Sequence, residues 1–424
     1  MSDVRLKKSY WKYLKRHAIT DRLSEYDLSG SRLIVVIPAY LEKNYIFDCL
    51  NSLSESSKRV KEMISVIIVV NASERSTPEV IHEQEELFQS LLLYAGSYSG
   101  QNIRFIPLKE FNVRKKHAGV GSARKLGMDQ AVSFFYQNGI SDGIIVSMDA
   151  DTTVAGNYFV EILKYFSRKK ATGCSICFEH PLTGEEGKAA AIYELYLRYY
   201  KQILGFTGFP YAFHTVGSAF ALRASAYVMA GGMPRKQAGE DFYLIQKVVQ
   251  MGGYGELNTT CVYPSSRPSD RVPFGTGPVV KKLVSDSAVL KTYAPGSFYA
   301  LKELFSKRAA FYRISNSEYD RFLDSLEEPL KHFLIKDGFI SELENLSDNC
   351  SSVAVFGKRF FEIFNAFKIV KYLNFVHENF YEKIPVSRAA EILLKDMGLT
   401  HPENADVHSL LMIFRKMDRS DVMR

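Results

Sequence analysis

Cysteine, tryptophan and long apolar runs are all scarce in this sequence of 424 residues. The 5 cysteines are an odd number without regular spacing, a pattern that argues against a disulfide framework and is typical of the reducing cytosol. No apolar run approaches the ~20 residues that a membrane-spanning helix needs. The N-terminus carries charges without an apolar core, unlike a secretory signal. Together these shortages predict a cytoplasmic protein.

The only C-x-x-C spacing in the sequence joins Cys174 and Cys177. Both cysteines lie in a strand-like run at residues 172–178, and no second pair follows it. Zinc sites of this kind need two such pairs or a pair with histidines. We therefore interpret these cysteines as ordinary buried thiols.

The charge balance is mildly basic, with 54 lysines and arginines against 47 acidic residues and a net charge of +7. Such a charge suits anionic ligands such as phosphates or an acidic membrane surface, and it is too small to indicate nucleic acid. The chain is 46% hydrophobic and 24% charged, which is ordinary for globular proteins. Its length allows one large domain and a smaller one.

The first 30 residues form a basic arm with a predicted helix. Its apolar side chains fall on one helical face, flanked by Trp11, the only tryptophan. One interpretation is a helix that lies on an anionic membrane surface. The other is a helix docked on the main domain with a solvated basic face. The cations of this arm are Arg5, Lys7, Lys8, Lys12, Lys15 and Arg16.

Strand and helix signals alternate from residue 31, which predicts a mainly parallel α/β sheet with right-handed crossovers. After residue 278 the strand signals fade, and helical segments dominate to residue 424, the clearest of them at residues 319–335, 355–381, 387–397 and 406–417. We therefore predict a basic helical arm at 1–30, an α/β domain at 31–278 and an α-helical domain at 279–424. The first strands are predicted at residues 33–37, 64–70, 103–108 and 144–146.

Asp149 and Asp151 directly follow the last of these strands. In open α/β sheets, ligands bind at the carboxyl ends of the strands. Two carboxylates one residue apart repel each other unless a cation or water lies between them. Mg²⁺ and Mn²⁺ prefer such oxygen ligands and share their other positions with phosphate oxygens. The pattern is compatible with a metal site and also with an ordinary Asp-rich turn.

Other polar side chains are expected to meet at the same sheet edge, because parallel strands end together there. They are Tyr40, Glu42, Asn71 and Arg124. Glu240 and Asp241 follow Gly239 at a predicted helix start, where the helix dipole alone favours carboxylates.

In these segments the chain resembles glycosyltransferase family 2, whose members are GT-A nucleotide-sugar transferases. The similar region covers about residues 31–263, and the order and spacing of its motifs are specific. The similar segments are VVIPAYLE at 35–42, ARKLG at 123–127, DAD at 149–151, GSAFALR at 217–223, GGM at 231–233 and GED at 239–241. Two features depart from the family pattern. Asn71 stands where an aspartate often contacts the base, and no histidine follows Asp241 before Val279 to serve as a further metal ligand.

The resemblance implies an inverting, metal-dependent transfer of a sugar from UDP or GDP to a carbohydrate or lipid-linked acceptor, as in cell-surface polysaccharide or glycoconjugate synthesis. It assigns the base to Asp241, acceptor support to Glu240, and Mn²⁺ or Mg²⁺ binding to Asp149 and Asp151. It places the donor nucleotide near Pro38, Tyr40, Glu42, Asn71, Arg124 and Asp149, with Lys115 or Lys116 close to the phosphates. Oligomerisation and peripheral contact with the inner membrane face are left open.

Two other functions fit parts of the pattern. A nucleotidyltransferase would use a similar crevice, but the first strand lacks the Gly-rich phosphate loop that usually opens such enzymes. A non-catalytic scaffold is disfavoured because Asp149, Asp151 and Asp241 are all present. Arg267 and Arg271 are compatible with a clamp on the diphosphate or an acidic acceptor, and equally with salt bridges inside a loop. We interpret His214 as a structural histidine.

Overall fold

The structure is a computed structural model that describes residues 3–98, 102–168, 170–234, 239–271, 275–286, 289–400, 402 and 405–420. It contains two compact units. The first comprises Met1–Ala190, Thr215–Lys281 and Asp418–Arg424, and the second Ala191–His214 and Lys282–Met417. The boundaries expected at residues 30 and 278 stay a prediction, as does the structural role of His214.

The first unit is built on an eight-stranded sheet with the strand order β3-β2-β1-β4-β7-β6-β8-β5. Its strands are β1 Ser31–Ala39, β2 Met63–Ser73, β3 Ile103–Val113, β4 Ile144–Ser147, β5 Thr152–Val154, β6 Gly173–Phe178, β7 Phe220–Arg223 and β8 Tyr254–Pro264. Strands β3, β2, β1 and β4 are parallel to one another, as are β6 and β8, while β7 and β5 are antiparallel to their neighbours. The predicted α/β class with a mainly parallel sheet is confirmed.

Local sequence explains where the strands and helices of this unit lie. Strands β1 and β4 are short apolar runs that are almost wholly buried, as expected for parallel strands covered on both faces. Thr77 caps helix α3, and Pro78 occupies its first turn. The helices of the unit are α1 Asp3–His17, α2 Ile46–Ser57, α3 Pro78–Gly96, α4 Val120–Gln137, α5 Tyr158–Phe166, α7 Ala224–Met229 and α8 Glu240–Val249.

Three helices contribute residues to both units, namely α6 Gly184–Phe206, α9 Thr276–Asp286 and α17 Val407–Ser420. In the described part of the second unit, the other regular elements are helices and the short strands β9 Lys291–Thr292 and β10 Ile384–Pro385. Its other helices are α10 Pro295–Ser306, α11 Asn316–Asp324, α12 Glu328–Asp337, α13 Phe339–Asp348, α14 Val353–Ile363, α15 Ala366–Asn379 and α16 Val386–Asp396. The predicted helical C-terminal region is confirmed.

Two helices that the sequence predicts for the second unit are each divided into two in the structure. The segment expected as one helix at residues 319–335 is divided into α11 and α12, and Pro329 lies in the first turn of α12. The segment expected as one helix at residues 355–381 is divided at Asn365, whose side chain accepts hydrogen bonds from the amides of Phe367 and Lys368 and so starts α15. Proline and asparagine at helix starts account for both breaks.

Helix α1 of the N-terminal arm is docked on α4 and α7 by a buried polar network. The Tyr13 hydroxyl donates to Asp129 Oδ1 at 2.6 Å, and the Tyr227 hydroxyl donates to the same oxygen at 2.9 Å. Lys125 Nζ donates to Asp129 Oδ2 at 2.8 Å. These four residues are called the Asp129 network below. The opposite face of α1 is exposed and carries Trp11, which is 49% exposed.

Candidate functional site

The carboxyl end of β4 places two carboxylates at the edge of the sheet. Asp149 and Asp151 lie between β4 and β5, and the backbone amide of Met148 continues the pairing with β1 by donating to the carbonyl of Val36 at 3.1 Å. The Asp149 side chain is 41% exposed and that of Asp151 is 18% exposed. Both carboxylates are therefore held by ordered backbone and remain accessible to a ligand.

Arg124 of α4 connects the first of these carboxylates with helix α8. Its Nη2 lies 2.6 Å from Asp149 Oδ1, and its Nη1 forms an ion pair with Glu240 Oε1. The side chains of Arg124 and Glu240 are only 3% and 2% exposed, respectively. Since an unpaired buried charge is costly, each of the two carboxylates holds the guanidinium in place. The structure thus brings together three residues that the sequence separates widely.

Asp241 lies beside this ion pair at the start of α8. Gly239 precedes the helix with φ of 72° and ψ of 13°, a left-handed conformation that glycine adopts without strain. The backbone amide of Phe242 donates to Asp241 Oδ1 at 2.7 Å. Burial, reinforced by the negative charge of Glu240 and opposed by Arg124, raises the pKa of Asp241 to about 6. A carboxylate with such a pKa is well suited to accept a proton near neutral pH.

Gly217 leaves room for the side chains of Asp241 and Arg124. A Cβ atom at this position would lie 3.0 Å from Asp241 Oδ2 and 3.0 Å from Arg124 Nη1. The carbonyl of Gly217 also accepts a hydrogen bond of 2.7 Å from the hydroxyl of Ser147 in β4. The GSAFALR segment therefore contributes a close backbone approach to the site.

Arg267 and Arg271, called the arginine pair below, bind the second carboxylate. Strand β5 is antiparallel to β8, and Thr152 is opposite Pro264. This register brings the segment after Pro264 next to Asp151. Arg267 Nε and Nη2 both lie 2.9 Å from Asp151 Oδ2, and Arg271 Nη2 lies 3.7 Å from it.

The arginine pair also binds Glu42. Arg267 Nη2 lies 2.6 Å from Glu42 Oε2, and Arg271 Nη1 forms an ion pair with Glu42 Oε1. Arg271 Nη1 further donates to the carbonyl of Tyr40 at 3.0 Å, and the Arg267 guanidinium lies 3.9 Å from the centre of the Tyr45 ring. Burial and the charge of Asp151 raise the pKa of Glu42 to about 7, although both arginines oppose the shift.

The ends of β1 and β2 are held together by Gln84 of α3, which the sequence analysis missed. Its amide nitrogen donates to the carbonyls of Ala39 at 3.2 Å and Asn71 at 2.8 Å, and its amide oxygen accepts from the Leu41 amide at 3.0 Å. Pro38 lies within β1, and Tyr40 is the first residue after this strand. The sequence shows only a glutamine within a predicted helix, and its partners Ala39 and Asn71 are 45 and 13 residues away.

Asn71 lies at the end of β2, beside Glu110 of β3, and is only 4% exposed. Its side-chain oxygen is buried and has no hydrogen-bond partner among the described residues. Such an orphaned polar atom is costly without a ligand. Nearby in the chain, a cleft of about 390 Å³ is lined by Glu74, Arg114, Lys115 and Lys116.

The oxygen donors of Asp149 and Asp151 fit a hard divalent cation. The ion pair of Asp149 uses Oδ1, and those of Asp151 use Oδ2. Among the described residues, the one three-residue group of His, Cys, Asp or Glu ligand atoms within 4.8 Å of one another is formed by Cys177, Glu179 and Cys261. The aspartates therefore have no third ligand of these types from the described chain, in line with the absence of a histidine noted in the sequence.

All five cysteines are buried thiols outside disulfides, which confirms the interpretation of Cys174 and Cys177 as buried thiols. Glu179, next to Cys177 and Cys261, forms an ion pair with the Arg419 guanidinium. A cation close to this group disfavours a metal there.

No helix in the described part of the chain combines the length and apolar character required to cross a membrane.

Comparison with known proteins gives the following similarities. Residues 34–228 match the family model described as Glycosyl transferase family 2. A search of curated proteins found no match. Residues 1–349 of S. aureus TarS are 13% identical, with 81% of this chain and 91% of that chain covered and a TM-score of 0.38.

Two further solved structures are similar at a comparable level. GalNAc-T7 with UDP, GalNAc and Mn²⁺ is 16% identical, covering 82% of this chain and 58% of its own with a TM-score of 0.37. The mannosyltransferase PcManGT from Pyrobaculum calidifontis, in complex with GDP-Man and Mn²⁺, is 13% identical, covering 100% of this chain and 96% of its own with a TM-score of 0.32.

The family match and the geometry described above concern the same part of the molecule. Residues 34–228 include Glu42, Asn71, Arg124, Asp149 and Asp151, whereas Glu240 and Asp241 follow the matched segment and are tied to it through Arg124. Residues 34–228 form a glycosyl transferase family 2 domain on the mainly parallel sheet, and the protein is a glycosyltransferase.

Proposed function

We propose that this glycosyltransferase is metal-dependent and inverting, and that it moves a sugar from a UDP- or GDP-sugar to a hydroxyl group of a carbohydrate or lipid-linked acceptor. One observation carries the proposal. Buried Arg124 binds both Asp149 and Glu240, and so places the carboxylate motif of β4 next to the start of α8, where Asp241 lies. In a single displacement the base acts on the side of the sugar opposite the leaving diphosphate. The donor site and the proton acceptor are therefore expected on separate structural elements.

The donor side of the proposed site is formed by Asp149 and Asp151. These carboxylates would hold Mn²⁺ or Mg²⁺, which when bound supplies positive charge to the leaving diphosphate as a Lewis acid. Arg124 fixes the orientation of Asp149 through its 2.6 Å contact. Glu42 lies close to Asp151 and holds the arginine pair, so we assign it a positioning role beside the diphosphate.

The nucleoside side is formed by the ends of β1 and β2. Asn71 offers a buried side-chain oxygen without a partner among the described residues, and a base N–H would satisfy it. Pro38 and Tyr40 frame the same edge, and Gln84 fixes the spacing of the two strand ends. The amide of Asn71, in place of an aspartate, retains one oxygen that accepts a hydrogen bond and lacks the negative charge.

Asp241 is the proposed general base. Its Oδ1 is engaged by the amide of Phe242, so Oδ2 is the oxygen that would accept the proton of the acceptor hydroxyl. Positioned bases of this kind contribute about 10²–10⁴-fold to rate. Because Glu240 is buried and paired with Arg124, we assign it the positioning of Arg124 rather than contact with the acceptor.

The proposed location is the cytosol, with contact at an anionic membrane surface through α1. The side of the helix that faces away from the Asp129 network carries exposed Trp11 together with exposed Arg5, Lys8, Lys12, Lys15 and Arg16. Basic side chains beside an exposed tryptophan are the features with which interfacial helices bind anionic lipid. A lipid-linked acceptor would be found at such a surface.

A donor panel tests the proposed activity. The protein is incubated with UDP- and GDP-sugars and Mn²⁺ or Mg²⁺, and the released phosphate compound is identified. Release of a nucleoside diphosphate supports glycosyl transfer or donor hydrolysis, whereas release of pyrophosphate from a nucleoside triphosphate and a sugar phosphate would indicate nucleotidyl transfer. Turnover that persists at full rate in EDTA would contradict metal dependence.

A further inference from the structure

The positive charges of the arginine pair lie beside the carboxylates of Asp151 and Glu42. Arg267 contacts Asp151 at 2.9 Å and Glu42 at 2.6 Å, and Arg271 also binds Glu42. The two carboxylates are only 18% and 8% exposed. Two guanidinium groups therefore neutralise two largely buried carboxylates, one of which belongs to the proposed metal motif.

A divalent cation bound at Asp151 would change this balance. It would bring two further positive charges next to the guanidinium groups, and repulsion between such charges is strong where water is largely excluded. A diphosphate would relieve the repulsion, because its oxygens accept hydrogen bonds from guanidinium in a bidentate geometry. The site therefore favours joint binding of metal and diphosphate over binding of metal alone.

The position of the arginine pair in the fold is compatible with a change of partner. Both residues lie in the connection between β8 and α9, outside helices and strands. The register of β5 and β8 fixes the start of this connection next to Asp151. Local hydrogen bonds hold the backbone beyond it, with the amide of Arg267 donating to Ser265 Oγ at 3.3 Å. The side chains can thus rotate from one anion to another while the backbone stays in place.

We propose that Arg267 and Arg271 are diphosphate ligands that exchange partners during donor binding. Without a donor they neutralise Asp151 and Glu42, and with a donor they bind the diphosphate oxygens and leave Asp151 to the metal. This inference rests on the proposed function. In this proposal the arginine pair weakens the binding of metal alone, because it neutralises Asp151, and strengthens the binding of the nucleotide. Metal and nucleotide therefore bind with positive coupling.

The test uses the opposite effects that the arginine pair is expected to have on metal binding and on nucleotide binding. Mn²⁺ binding without nucleotide is measured by electron paramagnetic resonance, and UDP and GDP binding with Mn²⁺ by calorimetry. In Arg267→Gln and Arg271→Gln we expect Mn²⁺ alone to bind more tightly, and the nucleoside diphosphate to bind about tenfold more weakly, as expected for the loss of a charged hydrogen bond. Arg32→Gln is the matched control, because Arg32 pairs with Asp142 at 3.3 Å on the surface.

Each alternative result has a defined meaning. If both affinities fall together with the melting temperature, the arginine pair is a structural salt bridge and the inference is wrong. Unchanged affinity for Mn²⁺ alone also overturns the exchange, even if nucleotide binding is lost. If the unmodified protein binds no nucleoside diphosphate with Mn²⁺, the proposed function fails, while tighter Mn²⁺ binding by both variants still supports the competition. Circular dichroism of each variant separates these results from unfolding, and Arg271, with its more exposed side chain, is the safer substitution.

Discussion

Arg124 Nη2 lies 2.6 Å from Asp149 Oδ1, although only 3% of the arginine side chain is exposed. A buried guanidinium thus reaches one carboxylate of an accessible motif from inside the protein. The position of Asp149 depends on a charge that solvent does not screen, and Glu240 depends on the same charge. Changes at Arg124 should therefore affect both the stability and the chemistry of the site.

We expect Arg124→Gln to lower the free energy of unfolding by about 3 kcal/mol, because it leaves the buried Glu240 without its partner. Urea denaturation measures this change. The control is Arg32→Gln, in which a solvent-exposed pair with Asp142 is lost and about 0.5 kcal/mol or less is expected. Equal stability of the two variants would show that the buried pair contributes no more than the exposed one.

Asp241→Asn retains the size of the side chain and removes its ability to accept a proton. We expect transfer to fall by about 10² or more, with metal and nucleotide affinity within a few fold. Nuclear magnetic resonance of the product anomeric proton should show inversion, since one displacement occurs. The control is Asp142→Asn, whose side chain is 53% exposed. Retained configuration, or near-normal transfer by Asp241→Asn, would exclude Asp241 as the inverting base.

The pH dependence of transfer should follow the pKa of Asp241, which burial and Glu240 raise to about 6. The charged groups around it are Glu240, Arg124 and Asp149. A base works only when deprotonated, so the rate should rise as the pH increases through about 6 and level off above it. Rate measurements between about pH 5 and 8 test this, with Asp241→Asn as the reference that lacks the transition. A rate that is constant across this range would contradict the assignment.

Asp151→Asn should remove most of the effect of metal on nucleotide binding. The substitution deletes the charge that would hold the cation, and it also removes an anchor of Arg267. Calorimetry with UDP and GDP, with Mn²⁺ or with EDTA, is the measurement. We expect the unmodified protein to bind weakly in EDTA, and the variant to show nearly the same affinity in both conditions. Equal affinity of the unmodified protein with and without metal would remove the basis for a metal site.

Charge reversal on the exposed face of α1 should weaken binding to anionic vesicles. For Lys8→Glu, Lys12→Glu and Lys15→Glu combined, we expect a loss of about 10²-fold or more, at about 1 kcal/mol per lysine. Sedimentation with phosphatidylcholine vesicles, with and without phosphatidylglycerol, measures it. The control combines Lys58→Glu, Lys164→Glu and Lys188→Glu, which change the same number of exposed lysines elsewhere. The same loss in the control, or no preference for anionic lipid, would refute a specific surface.

Local patterns in the sequence predict much of the fold and only part of the site. The apolar runs of β1, β2, β3 and β4 and the carboxylates after β4 can be recognised from residues close together in the chain. Strands β5 and β8 were not predicted. Strand β5 has only three residues, and β8 contains glycine, asparagine and threonine, which interrupt its apolar pattern. Without their pairing, the contact between Arg267 and Asp151, 116 residues apart, has no local signal.

The ion pair of Arg124 with Glu240 likewise joins residues 116 positions apart. The sequence suggests that both belong to one crevice, but the choice of partner depends on how α4 and α8 lie against the sheet. Gln84 is a similar case, since its three backbone partners lie in β1, in β2 and just after β1. Hydrogen bonds and charges of this kind are decided by tertiary packing, which neither periodicity nor a short motif encodes.

The Asp129 network also determines when helix α1 can reach its final position during synthesis. Tyr13 precedes its partners in the chain, because Asp129 follows 116 residues later and Tyr227 another 98 residues after it. Although domains assemble while the chain is still growing, α1 cannot complete this network until Tyr227 has been made. Helix α1 is therefore fixed in place only after α7, which is synthesised much later, has formed.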